Sequence, residues 1–227
     1  MKSIFTPLLS GLIAILLTST LQAGQQKLTH TNGNIDDSFG ESVSIQNDKI
    51  LIGSPYIDDE GIQAGAVYAY EFDGNTWSQT QQLMPAVLDD LDFFGASVSM
   101  DGDFAIVGAY GTDNGAGFRT GKAFVYRYDG STWNLFTQLT DSAGNTQDDF
   151  GISVAISGDY AFVGAPGDDD NGNESGAVFI YYYNGTSWGF SQKLTAGGED
   201  DTFGRSLSVD GSWLFVGAYG DDTTAND

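Results

Sequence analysis

The sequence predicts an all-β chain of four-stranded antiparallel meanders, about three and a half blades of a β-propeller. Two recurring signatures and one absence predict it. Phe-Gly stands at Phe39-Gly40, Phe94-Gly95, Phe150-Gly151 and Phe203-Gly204, at steps of 55, 56 and 53 residues. Thirteen residues after each of those glycines comes another, at Gly53, Gly108, Gly164 and Gly217. Beyond the first residues of the chain, no segment carries a helical period. A repeat of this size means blades, solenoid turns or an array. A β-solenoid has shorter coils and needs no hairpin turns, so blades are the better solution.

Each period reads as four strands. Strand A runs from Phe39 to Ile45, where Val43 and Ile45 alternate with Ser42 and Ser44. A two-residue turn follows at Gln46-Asn47, matched by Asp101-Gly102, Ser157-Gly158 and Asp210-Gly211. Asn and Gly belong there because tight hairpin loops need positive φ. Strand B is Lys49 to Ile52, matched by Phe104 to Val107 and Tyr160 to Val163. Strand C is Ala66 to Tyr70, matched by Ala123 to Tyr126 and Ala177 to Tyr181. The next turn is Asp73-Gly74-Asn75, then Asp129-Gly130-Ser131 and Asn184-Gly185-Thr186. Strand D starts at Trp77, Trp133 or Trp188 and ends at Leu83, Leu139 or Leu194. Strands B and C are apolar on both faces, as expected of a sheet sandwiched between neighbours.

The ends and the composition set the context. Lys2, the apolar run Ile4 to Leu17 and the small residue Ala23 read as a signal peptide over residues 1–23, cleaved after Ala23. Residues 24–227 form the repeat domain, with repeats starting near 36, 91, 147 and 200 and the last one truncated. Export to the periplasm, cell surface or medium is expected, with no transmembrane segment in the mature chain. Gln25 to Thr29 aligns with the close of strand D, and the chain stops after strand B of the fourth repeat. The chain therefore reads as the N-terminal portion of a longer protein. With 31 Asp and Glu against 8 Lys and Arg, the formal net charge is −23, which excludes nucleic acid and anionic lipid as expected partners. Cys is absent, so there is no disulfide or thiolate site. The one histidine, His30, reads as an exposed residue beside strand D.

Phe150-Gly151 followed by Gly164-Ala165-Pro166 resembles the FG-GAP repeat. The stretch Asp148-Asp149-Phe150-Gly151, with Gly164-Ala165-Pro166-Gly167-Asp168-Asp169-Asp170-Asn171-Gly172, is similar to the type found in exported bacterial proteins. The same repeat builds the seven-bladed propeller of integrin alpha chains. The resemblance thus implies that these blades belong to a larger, seven-bladed ring. Integrin propellers hold calcium in an Asp-rich loop between strands A and B. Here those loops are two-residue turns, so that site is not carried over.

Chemistry concentrates in the loop after strand B: Asp58-Asp59-Glu60, Asp113-Asn114, Asp168 to Glu174 and Asp221-Asp222. Calcium takes six to eight oxygens, and the third copy offers Asp168, Asp169, Asn171 and Asn173 as ligands, with Gly167 where a first Asp would stand. A solvated turn whose Asp and Asn cap backbone groups accounts for the same residues. Acids before each Phe-Gly (Asp36-Asp37, Asp90 and Asp92, Asp148-Asp149, Asp200-Asp201) recur with the period and read as turn residues bonding the following backbone. The tryptophans opening strand D read as blade packing rather than sugar platforms. The nearby turn lacks the residue spacing of a sialidase Asp-box. No catalytic residue stands out; Arg119 is the one non-repeating candidate. The expected function is a binding or adhesion module for a protein or glycan partner. The alternatives are a propeller hydrolase or lyase, and a structural spacer.

Overall fold

The computed structural model describes residues 25–30, 36–59, 61–113, 117–141, 143–196 and 198–221. The expected signal peptide lies outside them, as do Glu60, Asn114 and Asp222. Fourteen strands and no helix occur among the described residues. Blade 1 holds β1 (Ser42–Gln46), β2 (Lys49–Ser54), β3 (Ala66–Phe72) and β4 (Trp77–Leu83). Blade 2 holds β5 (Ser97–Asp101), β6 (Phe104–Ala109), β7 (Lys122–Tyr128) and β8 (Trp133–Leu139). Blade 3 holds β9 (Ser153–Ser157), β10 (Tyr160–Ala165), β11 (Ala177–Tyr183) and β12 (Trp188–Leu194). A two-stranded unit of β13 (Phe203–Asp210) and β14 (Trp213–Ala218) follows. Each full blade is an antiparallel meander in chain order, and β1, β5, β9 and β13 lie side by side. The described sheets do not close into a ring.

Two details differ from the sequence reading. In the three full blades strand A starts at Ser42, Ser97 or Ser153 rather than at the preceding Phe-Gly. Phe94 and Phe150 instead bridge the previous blade in parallel, to Gly65 and Gly121, and Phe203, which opens β13, bridges Gly176 in the same way. The A–B turns also sit one residue later, at Asn47-Asp48, Gly102-Asp103, Gly158-Asp159 and Gly211-Ser212, because Gln46 pairs Lys49 and Asp101 pairs Phe104. Their first residue carries the positive φ, 54° at Asn47 and 58° at Gly102.

The repeated glycines are explained by the gap between blades. Gly40 N–H donates to Gly53 O at 3.0 Å, Gly95 to Gly108 at 3.0 Å and Gly151 to Gly164 at 2.9 Å, tying the Phe-Gly to strand B of its own blade. The Phe-Gly carbonyl of the next blade then lies against Gly53, Gly108 and Gly164, where a Cβ would collide with it. That same carbonyl accepts a serine hydroxyl: Ser42 Oγ to Gly95 O at 2.8 Å, Ser97 to Gly151 at 2.9 Å and Ser153 to Gly204 at 2.7 Å. Apolar burial also lies between blades. One core joins Leu51, Val67 and Leu83 of blade 1 to Phe94, Val107, Phe124 and Trp133. A second joins Ile106 and Leu139 of blade 2 to Phe150, Val163, Phe179 and Trp188.

The segment Gln25–His30 stands where a preceding blade would place its strand D. Gln26 clamps Trp77, accepting its N–H and donating to its carbonyl, both at 2.8 Å. Gln81 does the same to Trp133 at the same distances. Tyr70 Oη donates to Thr29 O at 3.0 Å, as Tyr181 does to Thr140 O at 3.0 Å. His30 is a correction to the exposed position expected of it. Its side chain is 5% exposed, with ring centroids 4.6 Å from Tyr68 and 4.9 Å from Phe39, since it fills the apolar space at the start of blade 1.

Candidate functional site

In an up-and-down blade the B–C loops and the connectors from strand D to the next strand A emerge at the same end. Here two backbone seats recur at that end. The residue before each Phe-Gly has φ of 51° at Ser38, 55° at Phe93, 55° at Asp149 and 53° at Thr202. A residue of each full B–C loop does likewise, 55° at Gln63, 55° at Arg119 and 46° at Glu174. The seats are joined across blades by Phe93 N–H to Gln63 O at 3.1 Å, Asp149 to Arg119 at 3.1 Å and Thr202 to Glu174 at 2.9 Å. Left-handed backbone is costly for residues other than Gly, so such strain points to a held display of side chains.

What the seats display differs from blade to blade. Between blades 2, 3 and the final hairpin they enclose a cavity of about 310 Å³, with Tyr110, Arg119, Asp149, Glu174, Thr202 and Arg205 in its wall. Arg119 Nη2 donates to Asp149 Oδ2 at 2.7 Å, and its guanidinium lies 5.1 Å over the Tyr110 ring. Burial pushes the Asp149 carboxyl up to about 6, against the lowering effect of Arg119 and Arg205. Arg119 Nε, Asp149 Oδ1 and Thr202 Oγ1 are buried without hydrogen-bond partners. Tyr110 also stacks on Phe93 at 5.0 Å, and Phe93 meets Tyr56 edge-on at 5.6 Å. The cavity thus sits at the end of an aromatic row. Arg119, the non-repeating candidate of the sequence, stands in its wall.

A larger groove of about 840 Å³ lies at the opposite end, among the A–B turns of blades 1 and 2 and the C–D turn of blade 2. Lys49, Asp103, Arg127 and Asp129 border it. Its C–D turn is structural: Asp129 Oδ1 accepts Ser131 and Thr132 N–H at 2.9 Å, as Asp73 Oδ1 accepts Asn75 and Thr76 N–H at 2.8 Å in the matching turn of blade 1.

The four expected calcium ligands do not converge. Asp169 Oδ1 accepts Glu174 N–H at 2.7 Å, just as Asp58 accepts Gln63 N–H at 2.7 Å and Asp113 accepts Arg119 N–H at 2.9 Å. That carboxylate shapes the loop in every full blade. Asn173 donates to Asp200 Oδ1 at 2.9 Å, and Asn171 is exposed. Asp168 is buried and paired with Lys193 at 2.6 Å. It lies with Asp141 and Asp148 instead, one carboxylate oxygen of each being within 4.8 Å of the others.

The acids before Phe-Gly correct another expectation. They bond the backbone before them, not after: Asp92 Oδ2 accepts Asp89 N–H at 2.8 Å, Asp148 Oδ2 accepts Asn145 N–H at 2.6 Å, and Asp201 Oδ2 accepts Gly198 N–H. The connector folds back over the acid, so the nearest N–H groups come from upstream.

The FG-GAP repeat family model matches residues 23–70, 77–126, 133–181 and 188–227. The chain belongs to the FG-GAP repeat family. No curated protein sequence matches it. Each FG-GAP match after the first opens on a strand D tryptophan, and the second and third close in strand C of the next blade, so the sequence repeat is offset by one strand from the blade. The first match starts ahead of Gln26, consistent with Gln25–His30 occupying a strand D position. The Phe-Gly and Gly-Ala-Pro residues that define the FG-GAP pattern hold blades together. Arg119, Glu174 and Thr202 of the cavity wall stand outside that pattern.

Proposed function

We propose that this FG-GAP chain is an exported binding module that engages a protein or glycan through its loop end. One observation carries the reading: identical backbone seats present Gln63, Arg119 and Glu174, and Ser38, Phe93, Asp149 and Thr202, in one fixed geometry. A scaffold that repeats its backbone while varying the displayed side chain is built for recognition, as loops on rigid scaffolds generally are. The aromatic row ending at the Arg119–Asp149 pair offers a flat apolar contact beside directional polar groups, the mixture small-ligand sites use. Glycoside hydrolysis would need a pair of free carboxylates flanking the bond. Asp149 is held by Arg119 instead, which favours binding over chemistry.

The labelled chain is expected to bind selectively on a glycan array or a panel of immobilised extracellular-matrix proteins. Arg119→Ala with Asp149→Asn, which removes the pair without stranding a buried charge, is expected to weaken that binding at least tenfold in a chain that still melts cooperatively. Failure to bind either panel, or equal binding by the paired variant, would sink the proposal. For export, N-terminal sequencing of the secreted product is expected to begin at Gly24; retention of Met1 in the mature protein would overturn it.

A further inference from the structure

Blade 3 carries a second departure from the repeat, distinct from the Arg119 cavity and independent of the binding reading. Three stations recur around each connector: two residues past the strand D leucine, the acid before Phe-Gly, and four residues past the strand B glycine. In blade 1 they hold His30, Asp37 and Ile57, and in blade 2 Pro85, Asp92 and Thr112. In blade 3 alone among the full blades they hold three acids, Asp141, Asp148 and Asp168. Asp148 is 1% exposed and Asp168 3% exposed.

The bonding of these acids is incomplete. Asp148 Oδ2 accepts the Asn145 N–H, but Asp148 Oδ1 is buried with no hydrogen-bond partner. Lys193 Nζ reaches Asp168 Oδ2 at 2.6 Å and Asp170 Oδ2 at 2.5 Å. Its two ion pairs leave Asp141 and Asp148 uncompensated. Buried polar atoms without partners are rare, and like charges sharing a site are unfavourable unless a cation or proton joins them. One oxygen from each of the three carboxylates lies within 4.8 Å of the others. Calcium binds oxygen at about 2.3–2.6 Å, so ligands across the ion stand up to about 5 Å apart.

We propose that Asp141, Asp148 and Asp168 bind a calcium-sized divalent cation that clips the connector between blades 2 and 3 to the B–C loop of blade 3. The remaining coordination comes from water and backbone carbonyls, the usual completion of a calcium shell. Lys193 competes with the ion for Asp168.

The experiment is a calcium titration of the full chain after chelation, followed by thermal melting and by terbium luminescence. Tyr181, whose hydroxyl bonds Thr140 O beside Asp141, is the expected sensitiser. Millimolar calcium is expected to raise the melting temperature by about 5 °C, since a ligand that binds only the folded state stabilises it. Asp148→Asn is expected to melt higher than wild type in chelator and to lose the calcium shift. Asp141→Asn, at a less buried position, is expected to weaken terbium binding about tenfold and keeps the test open should Asp148→Asn fail to fold. Lys193→Met is expected to tighten calcium binding, and Asp169→Asn to leave it unchanged. No calcium shift in wild type, an undiminished shift in Asp148→Asn, or loss of the shift in Asp169→Asn would each overturn the site.

Discussion

Asp92 isolates what the acid before Phe-Gly does to the fold. Its side chain is buried, and its Oδ2 receives the Asp89 N–H. Burial pushes the carboxyl up to about 6, with Asp89 and Asp113 adding to the rise and Lys122 opposing it. A folded pKa above the unfolded value of about 3.9 means the folded state holds the proton more tightly. The stability it contributes is therefore fully present below about pH 4 and is lost as pH rises through 6. Asp92→Asn keeps an acceptor for the N–H and removes the buried charge. It is expected to be about 2 kcal/mol more stable than wild type at pH 7.5 and equal to it near pH 4, by urea unfolding at both. Equal stability at pH 7.5 would show that the burial is relieved in some other way. At this scale the sequence was readable where the period spoke. It marked the acids as structural and Arg119 as the exception. It could not show which way Asp92 turns, because that depends on the path of the connector. Nor could it show His30 buried between Phe39 and Tyr68, because a residue that occurs once has no repeat to compare it with.

Strand D was legible to the residue, Trp77–Leu83, Trp133–Leu139 and Trp188–Leu194, because a turn with a defined Asx or Gly signature precedes each tryptophan. Strand A was not, because Phe-Gly is apolar enough to read as strand but is held outside the ladder at positive φ, 97° at Gly40. That arrangement makes the glycines unequal. A methyl at Gly108 would meet the Gly151 carbonyl of the next blade, whereas one at Gly130 has nothing within 4 Å and faces only a φ of 99°. Gly108→Ala is expected to cost more than about 3 kcal/mol, since backbone of two blades must separate, and Gly130→Ala about 1 kcal/mol. Chemical denaturation of the two variants measures the contrast, and equal losses would mean the close approach is not rigid. The glutamine clamp is also an element-level device. Gln81→Ala removes both bonds to Trp133 and is expected to cost about 1–2 kcal/mol by the same measurement. At the matching station of strand D in blade 2, ahead of Trp188, the sequence has Thr137 in place of glutamine. No sequence signal marked the clamp, since glutamine in an outer strand looks like an ordinary solvated residue.

Among the described residues each blade buries its apolar faces against its neighbours, so the first and last described units show one face bare. Val43 and Ile45 are 65% and 66% exposed, while their counterparts Val98 and Met100 are each 8% exposed beneath the blade before them. At the other end Trp213 and Phe215 are 72% and 67% exposed, whereas Ile106 and Phe162, which match Phe215, are 0% and 8% exposed. These two faces are the two halves of one repeated interface, so in a polypeptide cut to residues 24–227 the last unit of one copy is shaped to receive the first blade of another. Contacts of that head-to-tail kind do not close on a dimer. The net charge of −23 opposes them at low ionic strength. A polypeptide of residues 24–227 is therefore expected to sediment as a monomer in dilute low-salt buffer and to form larger species as protein and salt concentrations rise together. Val43→Lys with Ile45→Lys, or Phe215→Lys, is expected to abolish the larger species, because either change spoils one half of the interface. Sedimentation that stays monomeric across the series, or association that survives both sets of changes, would show that the bare faces are covered by other means.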